Sequence, residues 1–148
     1  MSSRFVIRKG LIVSEGGAQV TGSLSLSCSI VSNSSTHIFS GSIRSRVVTL
    51  PVVSSTASLN LGLGNFFSLT LPSSSKTFLN VTNILPGQTA NIRIIQPAVS
   101  GSLSYGTQFK FPGGISYAVS STGSAEDILT VIAFDRSKVY ATFLKNIR

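Results

Sequence analysis

The chain has 148 residues, of which 42% are hydrophobic and only 11% are charged, and its formal net charge is +8. That length allows one domain with a buried core, and the charged fraction is well below the roughly 25% of an average soluble domain. Serine takes the place of the missing charge, with 28 copies in the chain. A polar but weakly charged surface is typical of proteins that assemble laterally, because contacts between identical copies then bury few charges.

The positive charge is dispersed along the chain rather than concentrated in one run. Proteins that bind single-stranded nucleic acid combine a basic groove with aromatic side chains on which bases stack. This sequence interleaves no such aromatic ladder with its basic residues. We therefore expect no nucleic-acid partner, and an acidic protein or glycan surface fits the charge better.

Reactive side chains are too few to build a catalytic or metal site. One cysteine, one histidine and four acidic residues supply neither a disulfide framework nor a cluster of metal ligands. A pairing of His37 with one of the many serines would be a chance arrangement. We expect a protein that is not an enzyme and that uses no metal and no cofactor.

No targeting or membrane segment is evident in the sequence. The apolar run at residues 5–7 is shorter than the apolar region of a signal peptide. No stretch approaches the roughly 20 apolar residues of a membrane span. We expect synthesis in a cytoplasm without a classical leader, and no membrane partner.

Residues 1–45 are predicted to form an extended N-terminal β ribbon that acts as an assembly arm. Apolar residues there alternate with serine, most clearly in residues 24–30, so they share one strand face. Such a ribbon has little core of its own, and further copies of the chain can supply the missing face, most economically as a homotrimer. Packing against the same chain's C-terminal domain is the alternative. The predicted assembly residues are Phe5, Val6, Ile7, Leu11, Val13, Val20, Leu24, Leu26, Cys28 and Ile30.

Residues 46–148 are predicted to form an antiparallel β-sandwich, jelly-roll-like in its connections. Short apolar runs recur there between Gly, Pro, Ser, Asn and Asp, which is the pattern of an all-β sandwich or barrel. Pro51 predicts a strand break, and Pro86-Gly87 predicts a type II turn. Residues 117–119 predict a short strand. The most apolar run, residues 128–134, predicts the central strand.

Alternation within these runs predicts which side chains are buried. Phe67, Leu69 and Leu71 are expected on one face of their strand, and Ile92 and Ile94 are expected to point inward.

Two acidic residues precede the central strand, and a further one opens a turn. Asp127 is expected to accept hydrogen bonds from backbone N–H groups at the turn before the strand, and Glu126 to pair with a nearby base. Residues 135–138 are expected to form a four-residue hairpin loop.

Two tyrosines lie beside glycine-containing loops and are candidates for ligand contact. Tyr105 and Tyr117, with Lys110 near them, suit a platform on which a sugar ring stacks. Half-buried strand aromatics are the alternative for the two tyrosines, and the sequence pattern favours it.

The order of these elements resembles a small β domain found at the C-terminal end of bacteriophage tail fibre and other virion appendage and decoration proteins. The Gly-Ser rhythm of Gly22-Ser23-Leu24 and Gly41-Ser42-Ile43 likewise resembles the stems of such fibres. The family often has Trp where Phe111 and Tyr140 stand. The matching elements are residues 64–67, 78–81, Pro86-Gly87, Gln96, Gly101, residues 111–114, residues 123–130, Tyr140 and Asn146.

The resemblance implies a non-enzymatic virion structural protein. A trimeric capsid decoration or cement protein, attached to the major capsid protein through the N-terminal ribbon, is the first expectation. A small tail fibre or baseplate tip that binds a host surface glycan or protein is the alternative. A cellular glycan-binding module is a more distant one.

Overall fold

The computed structural model describes residues 44–147, which form ten β-strands and two single turns of 3-10 helix. The predicted assembly residues all lie between positions 5 and 30, outside the described residues, so the ribbon and its boundary remain predictions. The 3-10 turns are Leu61–Leu63 and Pro112–Gly114. The strands are β1 (Val47–Thr49), β2 (Val52–Val53), β3 (Thr56–Asn60), β4 (Phe66–Thr70), β5 (Lys76–Thr82), β6 (Thr89–Ile95), β7 (Ser102–Tyr105), β8 (Phe109–Lys110), β9 (Glu126–Ile132) and β10 (Val139–Ile147).

The strands of the described region make two sheets, which confirms the all-β prediction. One sheet has six strands in the order β1-β4-β6-β9-β10-β8, and the other has four in the order β2-β3-β5-β7. The sheets are mixed, so the predicted antiparallel pairing is wrong for most strands. Five of the eight strand pairs in residues 44–147 are parallel, and three are antiparallel.

The parallel pairs follow from the path of the chain. From β3 to β8 each strand lies in the opposite sheet from the one before it. A parallel partner needs a crossover connection, and here a strand of the facing sheet serves as that crossover. Half-buried parallel and antiparallel strands share the same alternation of apolar and polar residues, so the sequence pattern does not distinguish them.

A single hydrophobic core receives alternate side chains from both sheets. The prediction for β4 and for the residue after it is confirmed, because Phe67, Leu69 and Leu71 are buried. Ile92 and Ile94 of β6 are fully buried as predicted. Burying a side chain of this size contributes about 1.5–3 kcal/mol relative to leaving it exposed. The four-stranded sheet supplies the facing layer through Ala57, Leu59, Leu79, Val81 and Leu103.

Strand β9 is central, as predicted, because β6 and β10 flank it. It begins at Glu126 rather than at residue 128, and it ends at Ile132, two residues before the predicted end. Its apolar run is not buried on both faces. Leu129 and Val131 enter the core, whereas Ile132 is 38% exposed.

Most predicted turns are present. The chain leaves β1 and enters β2 in the other sheet across Pro51, and Gly87 has the positive φ of +84° that a type II turn requires. Asp135 Oδ1 accepts hydrogen bonds from both the N–H and the hydroxyl of Ser137, which fixes the β9–β10 loop. The predicted strand at residues 117–119 is wrong, since those residues belong to an irregular segment.

That irregular segment is held by the buried carboxylate of Asp127, which is only 1% exposed. Asp127 Oδ2 accepts from the backbone N–H of Ser120 at 2.7 Å, and Oδ1 accepts from the Ser120 hydroxyl at 2.6 Å. Oδ1 also accepts from the backbone N–H of Asn146 at 2.8 Å. The carboxylate bonds backbone N–H groups as predicted, but those groups lie on distant segments instead of the adjacent turn.

Gln96 fixes the same segment from the other side and is also buried. Its side-chain amide donates to the carbonyl oxygens of Gly101 and Ser120, at 3.1 and 2.5 Å. Its carbonyl oxygen accepts from the backbone N–H of Gly101 at 2.9 Å. Two buried polar side chains therefore replace strand pairing for residues near 120.

The substitution Asp127→Asn tests this role. Whichever way the asparagine amide is oriented, one of its N–H groups faces a donor that the wild-type carboxylate binds. We expect the free energy of unfolding to fall by about 3 kcal/mol, because a buried donor then loses a charged partner. Urea denaturation measures this loss. Asp135→Asn is the matched control: only Oδ1 of Asp135 accepts the loop hydrogen bonds, so we expect a change below about 0.5 kcal/mol. Equal losses in both variants would contradict the assignment.

Candidate functional site

Five aromatic rings pack together around the end of β7, strand β8 and the segment that follows it. The rings of Tyr105 and Phe111 meet edge to face with centroids 4.8 Å apart, and Tyr105 also lies 5.6 Å from Phe109. Tyr117 contacts Phe111 and Phe143, each at 5.8 Å between centroids. Such pairs stabilise their loops by about 0.5–1.5 kcal/mol each beyond the burial of area.

A cavity of about 270 Å³ opens beside this cluster; we call it the aromatic loop pocket. Lys110 stands at the pocket with its ammonium group donating to the Thr107 carbonyl at 2.9 Å. Gly113 and Gly114 have φ of +67° and +74°, which lets the loop turn back without a side chain at its tip. The pocket is lined by Tyr105, Gly106, Phe109, Lys110, Phe111, Gly114 and Ser116.

The structure brings Tyr105 and Lys110 together as the sequence suggested, but Tyr105 is not a stacking platform. Its hydroxyl oxygen is buried and has no hydrogen-bond partner among the described residues. Burial raises the pKa of the Tyr105 phenol above its usual 10.0, and the negative charge of Asp127 adds to the rise. Tyr117 is 38% exposed and presents part of its ring. The half-buried alternative therefore describes Tyr105, and only Tyr117 offers an accessible ring.

The substitution Tyr105→Phe tests the orphaned hydroxyl. Removing a buried hydroxyl without a partner should raise the free energy of unfolding by about 1 kcal/mol at neutral pH. The pKa of the phenol is higher in the folded protein than in the unfolded one. Its contribution to folding stability is therefore present below pH 10 and is lost as the pH rises above 10.

The variant should therefore lose less stability than the wild type between about pH 8 and pH 11. Urea titrations at both pH values provide the measurement, and Tyr140→Phe, whose ring is 43% exposed, is the control. A Tyr105→Phe protein that is less stable than the wild type at neutral pH would show that the hydroxyl has a partner.

The second candidate surface is the side of the six-stranded sheet that points away from the core, which we call the outer sheet face. Its strand register places Val47, Phe66, Asn91, Thr130 and Thr142 in one cross-strand row. Large apolar side chains on this face are exposed: Val47 by 62%, Phe66 by 45% and Tyr140 by 43%. Two shallow grooves of about 380 and 270 Å³ lie on it, one around Phe66 and one around Tyr140.

The outer sheet face carries its central charges as a pair. Arg93 Nε donates to Glu126 Oε2 at 2.7 Å, and Arg93 Nη2 donates to Glu126 Oε1, which makes the contact bidentate. The prediction that Glu126 pairs with a base is confirmed. The hydrogen bond from Arg93 lowers the pKa of Glu126, and the same contact raises the pKa of Arg93.

Sequence reasoning did not identify a cleft of about 470 Å³ near the β4–β5 turn. Serines make up five of its ten lining residues, and Lys76 is another. Serines are so common in this chain that their gathering at one place leaves no signal in the sequence. The cleft holds no arrangement of acid, base and nucleophile.

Within residues 44–147, no group of three or more His, Cys, Asp or Glu side chains is arranged to hold a metal ion. In the same region, no helix has the length and apolar character needed to cross a membrane. Comparison of the chain with models of protein families, with curated proteins and with solved structures finds no match.

Proposed function

We propose that this protein is a non-enzymatic structural protein of a bacteriophage virion, a homotrimer that decorates and cements the capsid. In this proposal residues 1–45 attach it to the major capsid protein. The observation that carries the proposal is the outer sheet face, where large apolar side chains such as Val47 and Phe66 remain exposed around a neutralised ion pair. Exposed apolar surfaces of this kind mark contacts between proteins.

The charge of the described region supports a partner that is acidic. All three carboxylates of residues 44–147 are engaged within the chain: Glu126 by Arg93, Asp127 by buried donors and Asp135 by its own loop. Among residues 44–147, the exposed basic side chains other than Arg93 and Lys138 form no salt bridge with a described carboxylate. A shell whose surface carries carboxylates would attract them at low ionic strength.

Cryo-electron microscopy of the phage particle tests the location. The proposal expects threefold density in many copies over the head. A few copies at the tail, with none on the head, would favour the receptor-binding alternative, and absence from the particle would refute both.

Co-sedimentation of the purified protein with phage particles that lack it tests attachment through the N-terminal segment. The double variant Leu24→Asp/Leu26→Asp places charge on the apolar positions of the alternating run and should abolish co-sedimentation. Ser25→Asp/Ser27→Asp adds the same charge on the opposite face of the alternating run, and this variant should still co-sediment. Equal retention by both variants would contradict attachment through this run.

The aromatic loop pocket favours a second candidate function, a tail fibre or baseplate tip that binds a host surface glycan or protein. Lys110 lines the pocket and offers a cation, and Tyr117, which contacts Phe111 of the lining, offers an exposed ring. If glycan binding is the function, an array should give specific signals that Tyr117→Ala and Lys110→Gln reduce at least about tenfold. Lys76→Gln, at the serine-lined cleft, is the control and should bind as the wild type does. No glycan signal from the wild type would remove support for this candidate.

A further inference from the structure

The exposed apolar side chains of the outer sheet face form two clusters, one at the β1 edge of the sheet and one on β9 and β10. The first cluster is Val47 and Phe66, on β1 and β4, which are one edge strand and its neighbour. The second cluster is Ile132, Tyr140 and Leu144, on β9 and β10. Ile132 and Tyr140 lie directly opposite each other in the β9–β10 register.

The strip between the two clusters carries the half-buried Ile128 and polar side chains that bond to one another. Thr130 donates its hydroxyl to the Asn91 side-chain oxygen at 2.8 Å. Arg93 and Glu126 form the bidentate ion pair described above. Burying an unpaired charge is costly, whereas a charge that is paired and hydrogen-bonded can be covered with a smaller loss. The strip can therefore enter an interface without a charged partner from outside.

The middle of the face also carries no unpaired charge that would repel a second copy of the same face. Its interior contains no unpaired basic residue, and Lys110 at its edge donates to Thr107. An acidic partner would find no free cation in the middle of this surface, whereas a second copy of the same face brings apolar side chains and a paired, neutral centre.

We propose that the outer sheet face is the contact surface between copies of this chain, with the first cluster of one copy packed against the second cluster of the next. Since the two clusters differ in composition, a contact between unlike clusters in the proposed homotrimer is heterologous, and the threefold symmetry closes it into a ring. This inference rests on the proposed homotrimer and assigns its contact to the folded domain.

Light scattering of the full-length protein after size-exclusion chromatography tests the contact. The wild type should have the mass of a trimer. Phe66→Ser and Tyr140→Ser each remove an anchor from one cluster, and each should raise the concentration for half-dissociation at least about tenfold. Phe78→Ser is the matched control, because Phe78 is 41% exposed on the outside of the four-stranded sheet. It should assemble as the wild type does.

Cross-linking tests the heterologous pairing independently of any loss of stability. In a Cys28→Ser background, Phe66→Cys/Tyr140→Cys treated with a short bis-maleimide should give linked dimers and trimers. Each single cysteine variant should stay monomeric on a denaturing gel, because like positions do not meet. Dimers from Phe66→Cys alone would overturn the heterologous contact.

The outcomes separate this inference from the proposed function. A wild-type monomer over the full concentration range overturns both the trimer and the contact. A trimer that survives both face variants overturns the contact and leaves assembly to residues 1–45. Face-dependent trimers in a protein absent from phage particles would support the contact and refute the virion role.

Discussion

The constraint on which the rest of the structure depends is that each strand has only one face to bury. From β3 to β8 the chain meets that constraint by crossing from one sheet to the other at every connection. Each sheet then supplies the apolar layer that the other one needs, and one core results. The opposite faces of both sheets are left to solvent or to a partner. Serines and threonines cover much of the outside of the four-stranded sheet, whereas the six-stranded sheet exposes large apolar side chains.

The connections between β7 and β9 are too irregular to be held by strand pairing, and two buried polar groups hold them instead. Asp127 and Gln96 approach Ser120 from opposite sides and satisfy its backbone groups and its hydroxyl. The same region places the aromatic loop pocket at one end of the sheets. The buried hydrogen bonds at Ser120 hold the segment that contains Tyr117, whereas Lys110 lies on β8 and donates to the Thr107 carbonyl.

The sequence predicts strand faces well because side-chain alternation is local. Parity alone places Phe67 and Leu69 on one strand face and predicts that Ile92 and Ile94 point inward, and all four are buried. Strand direction was predicted wrongly, since alternation is identical in parallel and antiparallel half-buried strands. Residues 117–119 were predicted as a strand because their apolar character resembles one, but tertiary hydrogen bonds to Ser120 decide their conformation. The outer sheet face was not predicted, because an apolar residue that is exposed on a strand gives the same sequence signal as one in the core.

In the proposed function, assembly covers the apolar surface that the fold leaves exposed. A density map of the assembled full-length protein, at a resolution that separates strands, tests this most directly. The account predicts that the outer sheet face lies between copies and that the outside of the four-stranded sheet faces solvent. A map in which Phe66 and Tyr140 face solvent in every copy would contradict it.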